Sequence, residues 1–445
     1  MKRIASLLFI MVTICILSSC TNKNILLFLN WGEYIDETLI EKFEEKYNCT
    51  VMMDLADSNE LFYSKVSSGT TVYDVVCPSD YMVGKMYENG MLSKIDFNKI
   101  SSFDKDNLLP YQLSIASEME ERHEGISDYY VPYLGGTWGI MYSTRIEGLE
   151  ESIYSNENEW ACLYDRSSLP SGVRVAMYDS HQHAYYTACK YLGLDHTIAS
   201  SSNLNKVYDL VDATNFNAWG TDNIKKDIVN ENIELGFMWT GDFLYYYCEE
   251  IAGVVMEAYN NNDVSIENID EMIYALTGEE KEYKSADGTK YDIGFDIFIP
   301  KDTIAFSDNL IITKDAAHKD LAHKFIDFMT SEEVSMDEEG IDVISPAFAN
   351  TYYVCYNTPF KSIYDDMVDL SLYEYSIADE DNHKLEMNDG VDEYDSTLYY
   401  LIYDSATGIA FDKYYPKDEV KGNILAEFSR KEIYNINTTF NNARA

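Results

Sequence analysis

Basic residues are scarce in this chain. Its 445 residues hold 33 Lys plus Arg against 77 Asp plus Glu, a formal net charge of −44. A surface this acidic repels phosphate backbones and anionic lipid heads, so no nucleic-acid partner is expected, and cationic ligands are favoured. The same excess also serves solubility alone. Proline is scarce at 8 while tyrosine reaches 38, a bias that names no function. No CxxC pair occurs. Cys49, Cys77, Cys162, Cys189, Cys248 and Cys355 are widely spaced, which argues against a zinc ribbon and leaves their pairing open. Several stand in apolar runs, such as Val76-Cys77 and Ala188-Cys189, as buried thiols do. Neither a GxSxG nucleophile motif nor a P-loop is present, so enzymes built on those devices are excluded. No segment after the first twenty residues is long and apolar enough to cross a bilayer.

Those first twenty residues read as a targeting signal. Met1-Lys2-Arg3 is the positive start, and Ile4 to Leu17 is an apolar run. Leu17-Ser18-Ser19-Cys20 follows, and it resembles a bacterial lipobox, in which Cys20 would be acylated and become the new N-terminus. The mature chain is therefore expected outside the cytoplasm, in the periplasm or on the outer face of the cell membrane, tethered by acyl chains.

The remainder is ordinary globular material, 46% hydrophobic and 25% charged, long enough for two or three domains. Strand and helix patterns alternate. Ile25 to Leu29, Val51 to Leu55, Tyr73 to Val76, Val173 to Met177, Leu235 to Trp239 and Leu310 to Thr313 read as strands. Glu37 to Tyr47, Asn59 to Val66, Ser180 to Leu192, Phe243 to Ala252 and Lys319 to Met329 read as helices, and Asp80 as the N-cap of another that runs through Met86. This alternation predicts an α/β protein with mostly parallel sheets covered by helices. Two acidic stretches, about 252–290 and 379–395, read as solvated surface insertions, the first with an Asp287-Gly288 turn. Neither has the DxDxDG order and closing Glu of a calcium loop.

In open α/β sheets, ligands bind beyond the carboxyl ends of the strands. Aromatic residues and carboxylates recur at those ends. Trp31, Glu33 and Tyr34 follow the first strand; Ser79, Asp80 and Tyr81 follow the third. Asp179, His181 and His183 follow Val173 to Met177. Trp239 and Asp242 close Leu235 to Trp239, and Phe306 and Asp308 precede Leu310. Ring faces with carboxylates suit extended alkyl ammonium cations. Methylenes stack on the rings, and each ammonium gains roughly 0.5–2 kcal/mol of cation–π attraction. Carboxylates add charged hydrogen bonds. An enzyme would use Asp179, His181 and His183 as a metal or acid–base cluster, but two histidines at i and i+2 do not share a helix face.

The stretches "NWGEYI", "DSNELFYSKVSSG", "YDVVCPSDYMVGKM", "LSKID", "VPYLGGTWGIMYS", "LGFMWTGD", "IPKDTIAFSDNL" and "KFIDFM" together resemble the spermidine/putrescine-binding proteins of bacterial polyamine ABC transporters, from about Leu26 to Lys421. The resemblance implies a two-lobed periplasmic-binding-protein-like fold of type II, each lobe a sheet flanked by helices, with the ligand in the interlobe cleft. It implies lobe one at 24–136 plus 306–345 and lobe two at 137–305 plus 346–440, after the 1–20 signal. It puts Trp31, Glu33, Tyr34, Ser79, Tyr81, Trp239, Asp242, Phe306 and Asp308 against the ligand, with His183 where the family offers a carboxylate. Ser180 stands where some members carry a second Asp, and "IDVISP" at 341–346 lacks a family tyrosine. The implied function is a monomeric, lipid-anchored receptor that captures spermidine or putrescine and delivers it to membrane-embedded permease subunits, with no catalysis, cofactor or metal. A receptor of the same fold for another small cationic or polar solute is the alternative.

Overall fold

The computed structural model describes residues 24–221, 223–332, 335–336, 342–343, 345–370, 393–418 and 424–444. The signal segment with Cys20, Ile341 and Ile344 of "IDVISP" and most of the 379–395 acidic stretch lie outside them.

Strand β1 (Asn24–Asn30) pairs in parallel with β2 (Cys49–Leu55) on one side and β3 (Val75–Val76) on the other. The helix Glu37–Tyr47 joins β1 to β2. Asp36 caps it by accepting from the Thr38 amide, and Asn48 ends it in the left-handed region at φ 46°. Its apolar stripe carries Phe43, which meets Phe325 of the helix Lys319–Met329 edge-on at 5.1 Å, and Phe28 of β1 lies 5.0 Å from the same ring. Three elements read from the sequence pattern thereby close one core.

The chain then adds β4 (Leu92–Ser93), β5 (Tyr130–Ser143), β6 (Val175–Tyr178), β7 (Ala218–Gly220), β8 (Leu235–Trp239), the hairpin β9 (Glu282–Lys284) and β10 (Lys290–Asp292), then β11 (Phe295–Phe298) and β12 (Ala305–Thr313). The main sheet runs β2-β1-β3-β12-β5-β8-β6-β7, with β4 on β12 and β11 on β5. All fourteen residues of β5 are buried, and the strand serves both halves. Tyr130 to Thr137 pairs with β12; Trp138 to Tyr142 pairs with β8. Glycines allow the crossing. A Cβ on Gly135 would stand 2.5 Å from the Phe306 carbonyl oxygen, and one on Gly139 would stand 2.5 Å from the Ile297 side chain.

Four expectations change. Strand β12 begins at Ala305, so Phe306 and Asp308 lie within a buried strand, with a register shift after Asp308. Ser79, not Asp80, is the N-cap residue of the helix Asp80–Glu88. The Asp80 carboxylate accepts from the amides of Tyr81 and Ser307 instead. The helix after β8 runs Thr240–Asn260, because its buried face continues through Val255 and Ala258. The first acidic stretch is not a solvated insertion. It contains the helix Ile269–Thr277, whose Ile269, Met272, Ile273 and Leu276 are fully buried at helical spacing. Its Asp287-Gly288 turn is present, with Gly288 at φ 93° and Asp287 accepting from Ser285 and Thr289.

Farther on, the helix Pro346–Val354 ends at Cys355, whose φ of 60° turns the chain so that Tyr356 enters the space between the two sheet halves. The helix Glu393–Tyr414 packs on Thr240–Asn260, and the helix Arg430–Ala443 packs on the helices His181–Leu192 and Ser201–Thr214. The six described cysteines are buried free thiols.

Candidate functional site

A cavity of about 850 Å³ opens where β1 and β8 end, where β12 begins and where the chain returns through Tyr356. Of the ten ligand-facing residues expected from the sequence, eight line it: Trp31, Glu33, Tyr34, Ser79, Trp239, Asp242, Phe306 and Asp308. Tyr81 and His183 do not.

The wall is built of rings. Trp31 leans on Phe62, with centroids 4.6 Å apart. Trp239 meets Phe306 edge-on at 4.8 Å, and Tyr356 meets Tyr34 edge-on at 4.8 Å. Tyr356 fits because residue 241 is Gly: a Cβ there would stand 2.1 Å from its ring. Further tyrosines arrive from Tyr245 and Tyr246 on one helix, Tyr352 and Tyr353 on a second, and Tyr399, Tyr400 and Tyr403 on a third. The sequence pattern missed these. Their trace was the tyrosine excess, which carries no position.

At the floor sits Asp308, 5% exposed. The Tyr34 hydroxyl donates to it at 2.8 Å and the Ser79 hydroxyl at 2.6 Å. Asn59 holds Ser79 from both sides, donating to its Oγ at 2.9 Å and accepting from its amide at 3.0 Å. Burial pushes the Asp308 carboxyl up to about 6, against the pull of those two hydroxyl donors. Among the described residues no Lys, Arg or His forms an ion pair with it. Asp80, behind it, is pushed up to about 7, again chiefly by burial. The floor is thus a carboxylate stripped of water and supplied with hydrogen bonds but no cation.

The opposite wall differs. Asp242 accepts from the Lys225 ammonium at 2.8 Å, and Lys225 also lies 3.8 Å from Glu33 across the cavity. Lys225 is 6% exposed and lines the space itself. Sequence reasoning missed it, because nothing distinguishes Lys225 from Lys226 except helix phase.

His183 does not occupy a ligand-facing carboxylate position. It packs behind the wall, 4.4 Å from Trp138 and 5.2 Å from Trp239, and burial pushes its imidazole down to about 3. The other members of the supposed enzyme cluster lie apart from His183 and meet the C-terminal segment, where Arg444 reaches His181 at 3.4 Å. Asp179 pairs with Arg444 at 2.6 Å, and His181 bonds Asn437 at 3.0 Å. Tyr81 turns to a separate cavity of about 220 Å³, which it shares with Gln182 and Glu427.

The sequence is 28% identical over 225 residues to the spermidine/putrescine-binding periplasmic protein of Salmonella typhimurium, covering 50% of this chain and 60% of that one. Over about half its length the chain is similar to spermidine/putrescine-binding periplasmic proteins. It is also 23% identical over 327 residues to a putrescine-binding periplasmic protein of Pseudomonas aeruginosa, across 72% of this chain and 77% of that one. The first of these relatives is matched over less than two thirds of its length. Residues 1–119 match a family described as "Hypothetical lipoprotein (MG045 family)". The fold is that of two-lobed binding proteins. The substrate-binding protein of a Streptococcus pneumoniae spermidine/putrescine ABC transporter superposes with a TM-score of 0.53 at 20% identity, over 95% of this chain and 100% of that one. A lipoprotein of Treponema pallidum superposes with a TM-score of 0.57 at 19% identity, over 95% and 99%. No described helix is long and apolar enough to cross a membrane.

Proposed function

We propose that this protein is the extracytoplasmic solute-binding lipoprotein of an ABC importer for polyamines, that it performs no catalysis, and that it passes its ligand to membrane-embedded permease subunits. One observation carries the reading: a buried, hydrogen-bonded carboxylate without a cation, Asp308, at the floor of an aromatic cleft. A primary ammonium supplies what that carboxylate lacks, and the rings accommodate its methylenes. The division into lobes at 24–136 plus 306–345 and 137–305 plus 346–440 belongs to the same proposal. The change of partner within β5 supports it. The cleft would then close about the crossing strands. Calorimetry of the purified protein with putrescine and with spermidine is the direct test; if neither binds, the proposal is wrong.

The ionisation of Asp308 makes a second test. Its folded carboxyl titrates near 6, above the ordinary value of 3.8. In the empty protein the stability tied to it is fully present at pH below the ordinary value and is lost as pH rises through about 6. An amine binds the ionised form. Affinity should therefore rise about tenfold between pH 5 and pH 7, with a proton released on binding below pH 6. Titrations in two buffers of different ionisation enthalpy measure that proton. A flat affinity with no proton release would mean that no ammonium pairs with Asp308.

The anchor is tested separately. Cys20→Ala should leave the protein unprocessed or free of membranes, as judged by fractionation and mass spectrometry. Wild-type migration and fractionation of the variant would end the lipoprotein reading.

A further inference from the structure

We infer that Lys225 is a built-in cation that fills one amine position of the cleft, so that the site selects a diamine over a longer triamine. The inference rests on the polyamine reading and sharpens it. The two ends of the cleft differ in one respect. Asp308 has hydroxyl donors but no cation, whereas Asp242 already holds the Lys225 ammonium at 2.8 Å. The same ammonium stands 3.8 Å from Glu33, which reaches over from the end of β1. Lys225 thus meets carboxylates from both sheet halves, as a ligand amine would.

Helix phase explains why it does so. The helix Asn223–Val229 buries Ile224, Lys225 and Ile228, and it packs against β8. Its lysine stem is pressed between the helix and the cleft, and its charged end emerges at Asp242. A flexible exposed lysine would swing aside for a ligand at little cost. One that is 6% exposed and paired would not, because leaving Asp242 strips both groups of a partner.

The consequence is a count of charges. A triamine has three ammonium groups to satisfy and would bring one of them against a lysine that has already taken the carboxylate. Like charges held close in a partly dry site repel. A diamine sets one ammonium on Asp308 and leaves its second among the tyrosines of the cleft, where Glu249 of the helix Thr240–Asn260 also lines the wall. Specificity here comes as much from the repulsive element as from the attractive one.

The test is calorimetry of putrescine, spermidine and 4-aminobutyrate against the wild-type full chain, Lys225→Met, and Lys225→Met combined with Asp242→Asn. Methionine keeps the unbranched stem and removes the charge. The wild type should prefer putrescine. Lys225→Met should raise spermidine affinity relative to putrescine by about tenfold or more, and the double variant should lose that gain. Lys225→Gln is the second choice if the methionine variant melts early. A spermidine-to-putrescine ratio that Lys225→Met and Lys225→Gln leave unchanged overturns the inference while the polyamine reading stands. Tighter binding of 4-aminobutyrate than of putrescine, abolished by Lys225→Met, also overturns it, since Lys225 would then be a carboxylate contact. A wild-type protein that binds none of the three defeats the polyamine reading itself, and the inference with it.

Discussion

Asp308→Asn should weaken diamine binding by roughly two to three orders of magnitude, the cost of about 3–5 kcal/mol for breaking a buried charge pair. The substitution keeps the shape of the side chain. Its single carbonyl oxygen can still accept from Tyr34 or Ser79, which now donate to different carboxylate oxygens. What disappears is the negative charge that would face the ammonium. The empty protein should not suffer in proportion. Burial works against the ionised carboxylate, so a neutral amide removes a desolvation cost at pH 7. Calorimetry for affinity and thermal unfolding of the ligand-free variant separate the two effects. Trp31→Ala gives the scale, since a stacking ring is worth about 1 kcal/mol, or several-fold in affinity. Asp242→Asn belongs to a different class. Its expected role from sequence was that of a second amine contact, but its carboxylate accepts from Lys225. Removing it frees a cation inside the cleft, so binding falls through repulsion, and the loss should shrink when Lys225 is also neutralised. A wild-type affinity in Asp308→Asn would remove the ammonium from the cleft floor.

The parts of this fold that were legible share one property: a periodic apolar pattern with polar punctuation. Strand β1, the helix Glu37–Tyr47 and the helix Lys319–Met329 fall where that pattern puts them. The start of β12 was hidden because Ser307, Asp308 and Asn309 are polar and buried. Their polar groups are satisfied by one another or by neighbouring segments, as when Ser307 donates its amide to Asp80 and its hydroxyl to Asn309. A strand whose polar atoms are paired inside the protein looks, as a string of letters, like a loop. The helix Ile269–Thr277 was masked by the acids around it, although its apolar spacing was in plain view. The cleft was legible where residues follow strand ends, as Trp31 and Trp239 do. It was illegible where helices from distant segments deliver tyrosines, or where helix phase alone turns Lys225 inward and leaves Lys226 on a less buried face. Tertiary assembly, not local pattern, decides those cases.

His183 carries the clearest reversal, and His183→Glu should unfold the protein early rather than retune its specificity. By sequence position a glutamate there would restore a carboxylate to the ligand. In the structure the imidazole is 7% exposed and sits against Trp138, Tyr178, Phe237 and Trp239. Its Nδ1 has no hydrogen-bond partner among the described residues. Burial pushes the group down to about 3, so it is neutral at every pH where the protein would work. A glutamate in this pocket can stay charged at a large desolvation cost, or take up a proton. The second route is cheaper and sets the penalty. Holding a carboxyl of ordinary pKa about 4.3 protonated at pH 7 costs about 3–4 kcal/mol. That lowers the melting temperature by several degrees or more in a protein of this size. The penalty should fade toward pH 5, where protonation costs only about 1 kcal/mol. His183→Gln, neutral at all pH values, should lose much less and show no such recovery. Thermal unfolding of the three proteins at pH 5 and pH 7 reads this out, with calorimetry of putrescine and spermidine alongside. A His183→Glu protein as stable as the wild type, with its preference moved toward spermidine, would put residue 183 back in the ligand site.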